Sequence, residues 1–183
     1  MGIQNWYVVK TTVRSEKKVL ERLLEVGFEA YLPLVITMKI WSDRKKKVTV
    51  PLIASTLFVR TSPENLRNVY PHQGVSSVLT FEGKPAIVRD FEINNLRILL
   101  EEDSLTNLET TTKLTKGETV QVIRGPFQGL IGTAVQTNDR FRLVVELQSL
   151  GTGFVMNIPK SFVRKHEITG SEENGYKHKL KPN

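Results

Sequence analysis

Apolar residues gather first at the head of the chain, where Trp6, Tyr7, Val8 and Val9 form an unbroken aromatic and β-branched run. Such a run predicts a strand buried on at least one side. The period then changes: Val19, Leu20, Leu23 and Leu24 recur at the spacing of one helical face, with Ser15 placed to cap that helix and Gly27 placed to end it. Alternation returns over residues 28–32 and 35–41, broken by Pro33, and resumes at Val48, Thr49 and Val50 after a Ser42-Asp43 turn. Leu57, Phe58 and Val59 make the most strongly apolar short strand, predicted to be central. Pro63 opens a short helix to about Tyr70. A strand pair follows at 75–79 and 86–88, and Asp90 caps a last helix packed through Ile93, Leu96, Leu99 and Leu100. Four or five strands interrupted by three helices predict one α+β domain over residues 1–103.

Residues 104–114 carry Ser, Thr and Asn with scattered leucines and no usable period, which is the composition of a linker. Beyond it, Thr119 to Val122 alternates, as does the stretch 141–147, and Asn138-Asp139 can turn the chain before the latter. Short strands with glycine-rich turns predict a small β-barrel over residues 115–167. The polar, lysine-rich residues 168–183 read as a disordered tail.

Charge adds a class of partner. The chain of 183 residues has 26 Lys and Arg against 19 Asp and Glu, a formal net charge of +7, which favours an anionic partner. Arg14, Lys18 and Arg22 lie four apart on one helix, and Arg44 to Lys47 are four adjacent cations at a predicted hairpin tip. Each group reads equally well as a solvated surface or as an anion contact. There is no cysteine, so disulfides and thiolate metal sites are excluded. No apolar run approaches the roughly 18 residues that span a membrane, and a cytoplasmic protein is expected.

The stretch RGPFQGLIG, 124–132, invites a phosphate-loop reading. Its context rejects that reading: a further strand follows Gly129 where a nucleotide fold needs a helix, and no Lys-Ser or Lys-Thr follows. The glycines are instead predicted at positive φ or at close packing. His72, His166 and His178 are far apart, and no serine has a nucleophile's setting. These patterns favour a binding protein over an enzyme, with no catalytic residues, no metal and no cofactor.

The opening WYVVK, a strand ending in LP, PLIASTLFVR and GVSSVLTFEGKPAIV resemble the N-terminal domain of the NusG family of transcription elongation factors. After the linker, KGETVQVIRGPFQGLIGTAV resembles the KOW motif, the family's second domain, a small SH3-like barrel. WSDRKKKVTVPL and the GVS…PAIV stretch look more like the specialised RfaH/UpxY-type paralogues than the housekeeping member. The resemblance implies a non-catalytic factor that binds the clamp helices of the largest RNA polymerase subunit, suppresses pausing or termination, and acts on particular long operons. It implies a clamp contact at Leu52, Ile53, Thr56 and Phe58, and a nontemplate DNA contact at Arg14, Lys18, Arg22, Arg44, Lys45 and Lys46. It also implies a second-domain surface at Arg124, Phe127 and Gln128, with ribosomal protein S10 as a candidate partner. Where the family commonly carries Pro, a small residue and Tyr, this chain has Ala54, Ser55 and Thr56, so an aromatic anchor is missing. A housekeeping NusG-type factor and a KOW-based ribosomal or RNA-binding module are the competing functions. Trp6 is weighed as core against contact, with core favoured.

Overall fold

The computed structural model describes residues 2–40, 45–101, 109–111, 117–137 and 140–166. The chain divides into two compact units, Met1–Leu105 and Thr106–Asn183.

The first unit is organised by β1 (Asn5–Thr11), in which Trp6, Tyr7, Val8 and Val9 are all buried. A strand sends alternate residues to opposite faces, so four consecutive buried residues need cover on both. β2 (Glu29–Tyr31) pairs with β5 (Thr56–Thr61), and β5 runs antiparallel beside β1 with Val8 opposite Phe58 and Val9 opposite Leu57. The other edge of β1 carries both β6 (Val75–Val78) and β9 (Ile87–Val88), the first opposite Val9 to Thr11 and the second opposite Trp6 and Tyr7. The expected strand pair at 75–79 and 86–88 is therefore two partners of β1 placed end to end, because a seven-residue strand is long enough for both. Between them, β7 (Thr80–Phe81) and β8 (Lys84–Pro85) form a small hairpin.

One face of this sheet is closed by α1 (Glu16–Glu25), whose Val19 and Leu23 join Tyr7, Val9, Leu57 and Val59 in one buried cluster. Leu66 and Val69 complete the cluster from a short 3-10 turn, Leu66–Val69, where the sequence predicts a longer helix from Pro63. On the opposite face lie Trp6, Val8 and Phe58, all buried, which makes Trp6 core. α2 (Asp90–Glu101) covers this face: its Arg97 stacks over the rings of Trp6 and Tyr31 at 5.8 and 5.3 Å, and Asp90 meets Arg60 of β5 at 3.8 Å. Ile93, Leu96 and Leu99 are buried as their spacing predicts, while Leu100 is half-buried.

The helix ends follow local chemistry. α1 stops at Gly27, whose φ of +87° lets its N–H reach the Leu24 carbonyl while the Phe28 N–H reaches that of Leu23. That pair of bonds satisfies carbonyls the helix leaves open. Ser15 occupies the N-cap position without a side-chain capping bond, its hydroxyl accepting from Thr12 instead. Asp90, expected as a cap, is the first residue of α2; the cap is made by Arg89, whose backbone N–H donates to the Glu92 carboxylate at 2.9 Å. A reciprocal bond three residues into a helix is the carboxylate half of a capping box. The same Glu92 is 1% exposed and holds the Arg89 guanidinium at 3.2 Å.

β3 (Leu34–Ile40) and β4 (Lys45–Pro51) form a separate two-stranded hairpin, pairing Leu34 with Pro51 through to Ile40 with Lys45. The tip expected at Arg44 to Lys47 is corrected: Lys45, Lys46 and Lys47 lie within β4, paired with Ile40, Lys39 and Met38, because the strand ladder runs further than the apolar alternation from Val48 suggests, and Arg44 lies outside the described residues.

The second unit corrects the sequence expectation. Its strands form one antiparallel sheet in the order β10 (Glu109–Thr111), β14 (Thr152–Asn157), β13 (Arg140–Leu147), β12 (Ile131–Thr137), β11 (Glu118–Val122), β15 (Val163–Lys165). A closed SH3-like barrel over 115–167 would need its terminal strands hydrogen-bonded to one another. Here the ladder begins at β10 and ends at β15, and among the described residues no pairing joins those two, so the sheet is open. Both edge strands are only three residues long, and the outer one exposes Arg164 and Lys165, features that keep a free edge solvated. β10 also lies within 104–114, the stretch expected to be linker; the rest of that stretch and the expected tail at 168–183 fall outside the described residues. The apolar face of the sheet carries Val120, Val122, Leu143, Val145, Leu147, Phe154 and Met156, all buried and alternating along their strands.

Gly132 is fixed by packing, since an added Cβ would stand 2.6 Å from the Val144 carbonyl oxygen and 3.0 Å from the Leu143 side chain. Overpacking of this kind costs about 1–3 kcal/mol. Gly132→Ala should therefore destabilise the second unit by that amount, read as a lowered urea midpoint, and an unchanged midpoint would show the backbone can give way freely. In the first unit Phe58 is fully buried. Phe58→Ala should destabilise that unit by about 3–5 kcal/mol, read as a lowered melting temperature, and Phe58→Asp should prevent it from folding.

Candidate functional site

The connection from β4 to β5, residues 52–55, carries Leu52 and Ile53, both half-buried. Polar contacts hold it at both ends. The Leu52 N–H donates to the Pro33 carbonyl at 2.8 Å, and the Ser55 carbonyl accepts from the Thr11 N–H at 3.1 Å. The Ser55 N–H donates to the Glu16 carboxylate at 2.8 Å. The Thr56 hydroxyl donates to the Ala54 carbonyl and accepts from the Lys10 ammonium, each at 2.9 Å. Ser55 has a φ of +51°, a left-handed conformation that a residue with a side chain adopts only when its surroundings hold it there.

The four residues expected at the clamp contact thus separate by depth. Leu52 and Ile53 reach the surface, whereas Thr56 and Phe58 are fully buried. Phe58 points to the α2 side of the sheet, where its ring stacks with Tyr31 at 6.3 Å between centroids, and it is core rather than surface. Thr56 tethers the turn through its hydroxyl, a local bond that the short Ala54-Ser55-Thr56 sequence makes possible.

The basic stripe on α1 is partly engaged within the fold. Lys18 is exposed, and so is Arg14, which precedes the helix with a φ of +63°. Arg22 is half-buried, its guanidinium donating to the Gln73 carbonyl at 2.6 Å, which ties α1 to the turn before β6. Lys17, not singled out by its spacing, donates to the Thr49 carbonyl of β4 at 3.0 Å. Of the hairpin cations, Lys46 is exposed, Lys45 is placed by its backbone in β4, and Arg44 lies outside the described residues.

In the second unit, RGPFQGLIG is a turn entering β12, as its context predicts. The Gln128 N–H donates to the Gly125 carbonyl at 3.1 Å, and the Gly129 N–H to the Val122 carbonyl at 2.9 Å, with Gly129 at a φ of +96°. Arg124 and Gln128 are exposed on this turn and Phe127 is half-buried.

Two features escaped the sequence pattern. Phe81 and Ile87 are more than half exposed at and beside the β7–β8 hairpin, although apolar strand residues ordinarily signal core. Their only sequence signal is the Glu82-Gly83 turn beside them. Glu16 escaped notice because a first-turn helix acid ordinarily faces water, whereas here it is 6% exposed and bonded to Ser55. Nothing among the described residues gathers into a reaction centre. His72 packs edge-on to Phe28, and among the described residues no group of three or more His, Cys, Asp or Glu could hold a metal ion. Glu64, whose carboxyl is held below its ordinary range by the Ser62 hydroxyl and by its own backbone N–H, sits at an exposed turn. No helix among the described residues is long and apolar enough to cross a membrane.

Known proteins give the context for this surface. The chain is 23% identical over 186 residues to the transcription termination/antitermination protein NusG of Rickettsia typhi, covering 91% of this chain and 92% of the relative. The protein of the same name from Rickettsia felis is 23% identical with the same coverage. A solved structure concerning domain interaction in Thermotoga maritima NusG is 23% identical and covers 90% of this chain and 98% of its own, with a TM-score of 0.43. The family model described as transcription termination factor nusG matches residues 4–97, the whole sheet of the first unit and most of α2. On that match the chain belongs to the NusG family of transcription factors.

Proposed function

We propose that this protein is a general NusG-type transcription elongation and antitermination factor that binds RNA polymerase. The observation that carries this reading is the extent of the match: the relatives named as transcription termination/antitermination proteins align along 91% of this chain, through both units. Such a factor needs no chemistry. By binding a closed polymerase clamp more tightly than an open one, it shifts the population toward the elongating state.

In this proposal the clamp helices of the largest polymerase subunit meet the 52–55 connection, with Leu52 and Ile53 as the apolar contacts, Thr56 bonded to Ala54 within the turn, and Phe58 buried in the core. Arg14, Lys18 and Lys46, exposed on the same unit, face the nontemplate strand, with Arg22 held back by its bond to Gln73 and with Arg44 and Lys45 assigned to the same contact by the resemblance alone. Arg124, Phe127 and Gln128 would offer the second unit's turn to a separate partner, ribosomal protein S10 being the candidate. The site of action is the cytoplasm. Restriction to particular long operons, the RfaH/UpxY-type specialisation, has no structural observation in its favour, so the general factor is preferred. Transcript profiling after deletion separates the two, since a general factor alters many genes and a specialised one alters a few long operons.

Ile53→Asp should weaken binding to core RNA polymerase more than tenfold, the loss of about 2 kcal/mol expected of an interface anchor, while the melting temperature stays within a few degrees. Retained binding in a pull-down with the variant would remove Ile53 from the contact. Lys18→Ala and Arg14→Ala should each lower the slope of log affinity for single-stranded DNA against log salt by about 0.7, the change expected when one phosphate is no longer neutralised. An unchanged slope would identify these cations as merely solvated.

A further inference from the structure

The 52–55 connection holds a non-glycine residue in the left-handed region, and a buried carboxylate from a different element bonds that residue's amide. Glu16 is separated from Ser55 by 39 positions in sequence, lies in the first turn of α1, and is 6% exposed. Burying a carboxylate is unfavourable unless hydrogen bonds compensate for the lost water, and a backbone N–H bonded to a carboxylate is stronger than one bonded to a neutral acceptor. We infer that Glu16 is the positioning residue of the polymerase-contact connection: its carboxylate holds Ser55 left-handed and thereby sets the direction in which Leu52 and Ile53 leave the sheet.

The surrounding bonds favour this assignment over a purely structural one. The connection carries no aromatic residue that could anchor it, since it reads Leu52, Ile53, Ala54 and Ser55. Its shape is set by polar bonds: Glu16 and Thr11 to the two sides of Ser55, Thr56 to Ala54, and Lys10 to Thr56. Thr11, Thr56 and Lys10 act on carbonyls or on one another, so among these partners only Glu16 accepts from the connection's own amide at its strained residue. Since Glu16 also begins α1, the helix bearing Lys18 is joined to the clamp connection through one side chain. Movement of either would be felt by the other.

The inference rests on the proposed clamp contact, and its test separates failure of one from failure of the other. In the full chain, amide hydrogen exchange is measured at Ser55 and at the core strands, and binding to core RNA polymerase is measured in parallel, for wild type, Glu16→Gln, Glu16→Ala and Glu16→Ala combined with Ser55→Gly. The inference expects Glu16→Ala to speed Ser55 exchange at least tenfold with β1 and β5 amides unchanged, and to weaken polymerase binding at least tenfold. Glu16→Gln, which keeps an acceptor oxygen, should recover most of both losses. Adding Ser55→Gly should recover part of the binding alone, because glycine adopts the left-handed conformation without being held.

Unchanged Ser55 exchange in Glu16→Ala would overturn the positioning role and leave the clamp contact standing. Faster Ser55 exchange with full polymerase binding would show that this connection is not the contact, which overturns both. Faster exchange throughout β1 and β5 would make Glu16 a general core residue and also overturn the inference. Should Glu16→Ala fail to fold, Glu16→Gln with and without Ser55→Gly carries the same comparison, and binding that the glycine cannot improve would count against it.

Discussion

Burial of β1 on both faces is the constraint from which the first unit follows. Trp6 and Val8 on one side and Tyr7 and Val9 on the other each need an apolar cover. α1 with the 3-10 turn supplies one layer, and α2 supplies the other. Because β1 also pairs along both edges, with β5 on one side and β6 and β9 on the other, its backbone groups are spoken for as fully as its side chains. A strand so enclosed cannot itself offer a contact surface. What remains for recognition is the rim: connections, hairpins and the outer face of α1.

That division accounts for how the proposed binding function can have a defined site. The β3–β4 hairpin fixes one end of the 52–55 connection and β5 of the main sheet the other, and short polar bonds from Glu16, Thr11, Thr56 and Lys10 hold the turn through Ala54, Ser55 and Thr56. In the proposed clamp contact Leu52 and Ile53 would then be displayed at little further entropic cost on binding, which is how a preordered surface gains affinity. The cations work differently. In the proposed nucleic-acid contact the exposed Arg14, Lys18 and Lys46 would contribute charge that attracts an anion at long range without fixing its position.

The elements with strong periodicity were legible in the sequence. The apolar run of β1, the helical spacing of Val19 and Leu23, and the alternation along β11 and β13 each state a local requirement that tertiary structure could only satisfy one way. Context also decided the glycine-rich turn, because a strand rather than a helix follows Gly129. Depth was less legible. Phe58 belongs to an apolar triplet whose neighbours Leu57 and Val59 face the opposite layer, and the sequence alone does not say that both layers are covered. Asp90 looked like a cap because it is a good capping residue, yet the carboxylate that performs that duty is Glu92, two positions on. Closure of the second unit was beyond reach for a related reason. Whether the two end strands of a ladder meet depends on their length and direction after every intervening turn, and alternation within strands carries no record of that.

The central claim is that the first unit meets polymerase through the rim connection that its doubly covered strand holds in place. Replacing Ile53 with a photocrosslinking residue and illuminating the assembled elongation complex tests it directly. A crosslink from position 53 to the clamp helices of the largest polymerase subunit is the predicted result. A complex that forms with normal affinity, yet crosslinks position 53 to no polymerase subunit, would contradict it.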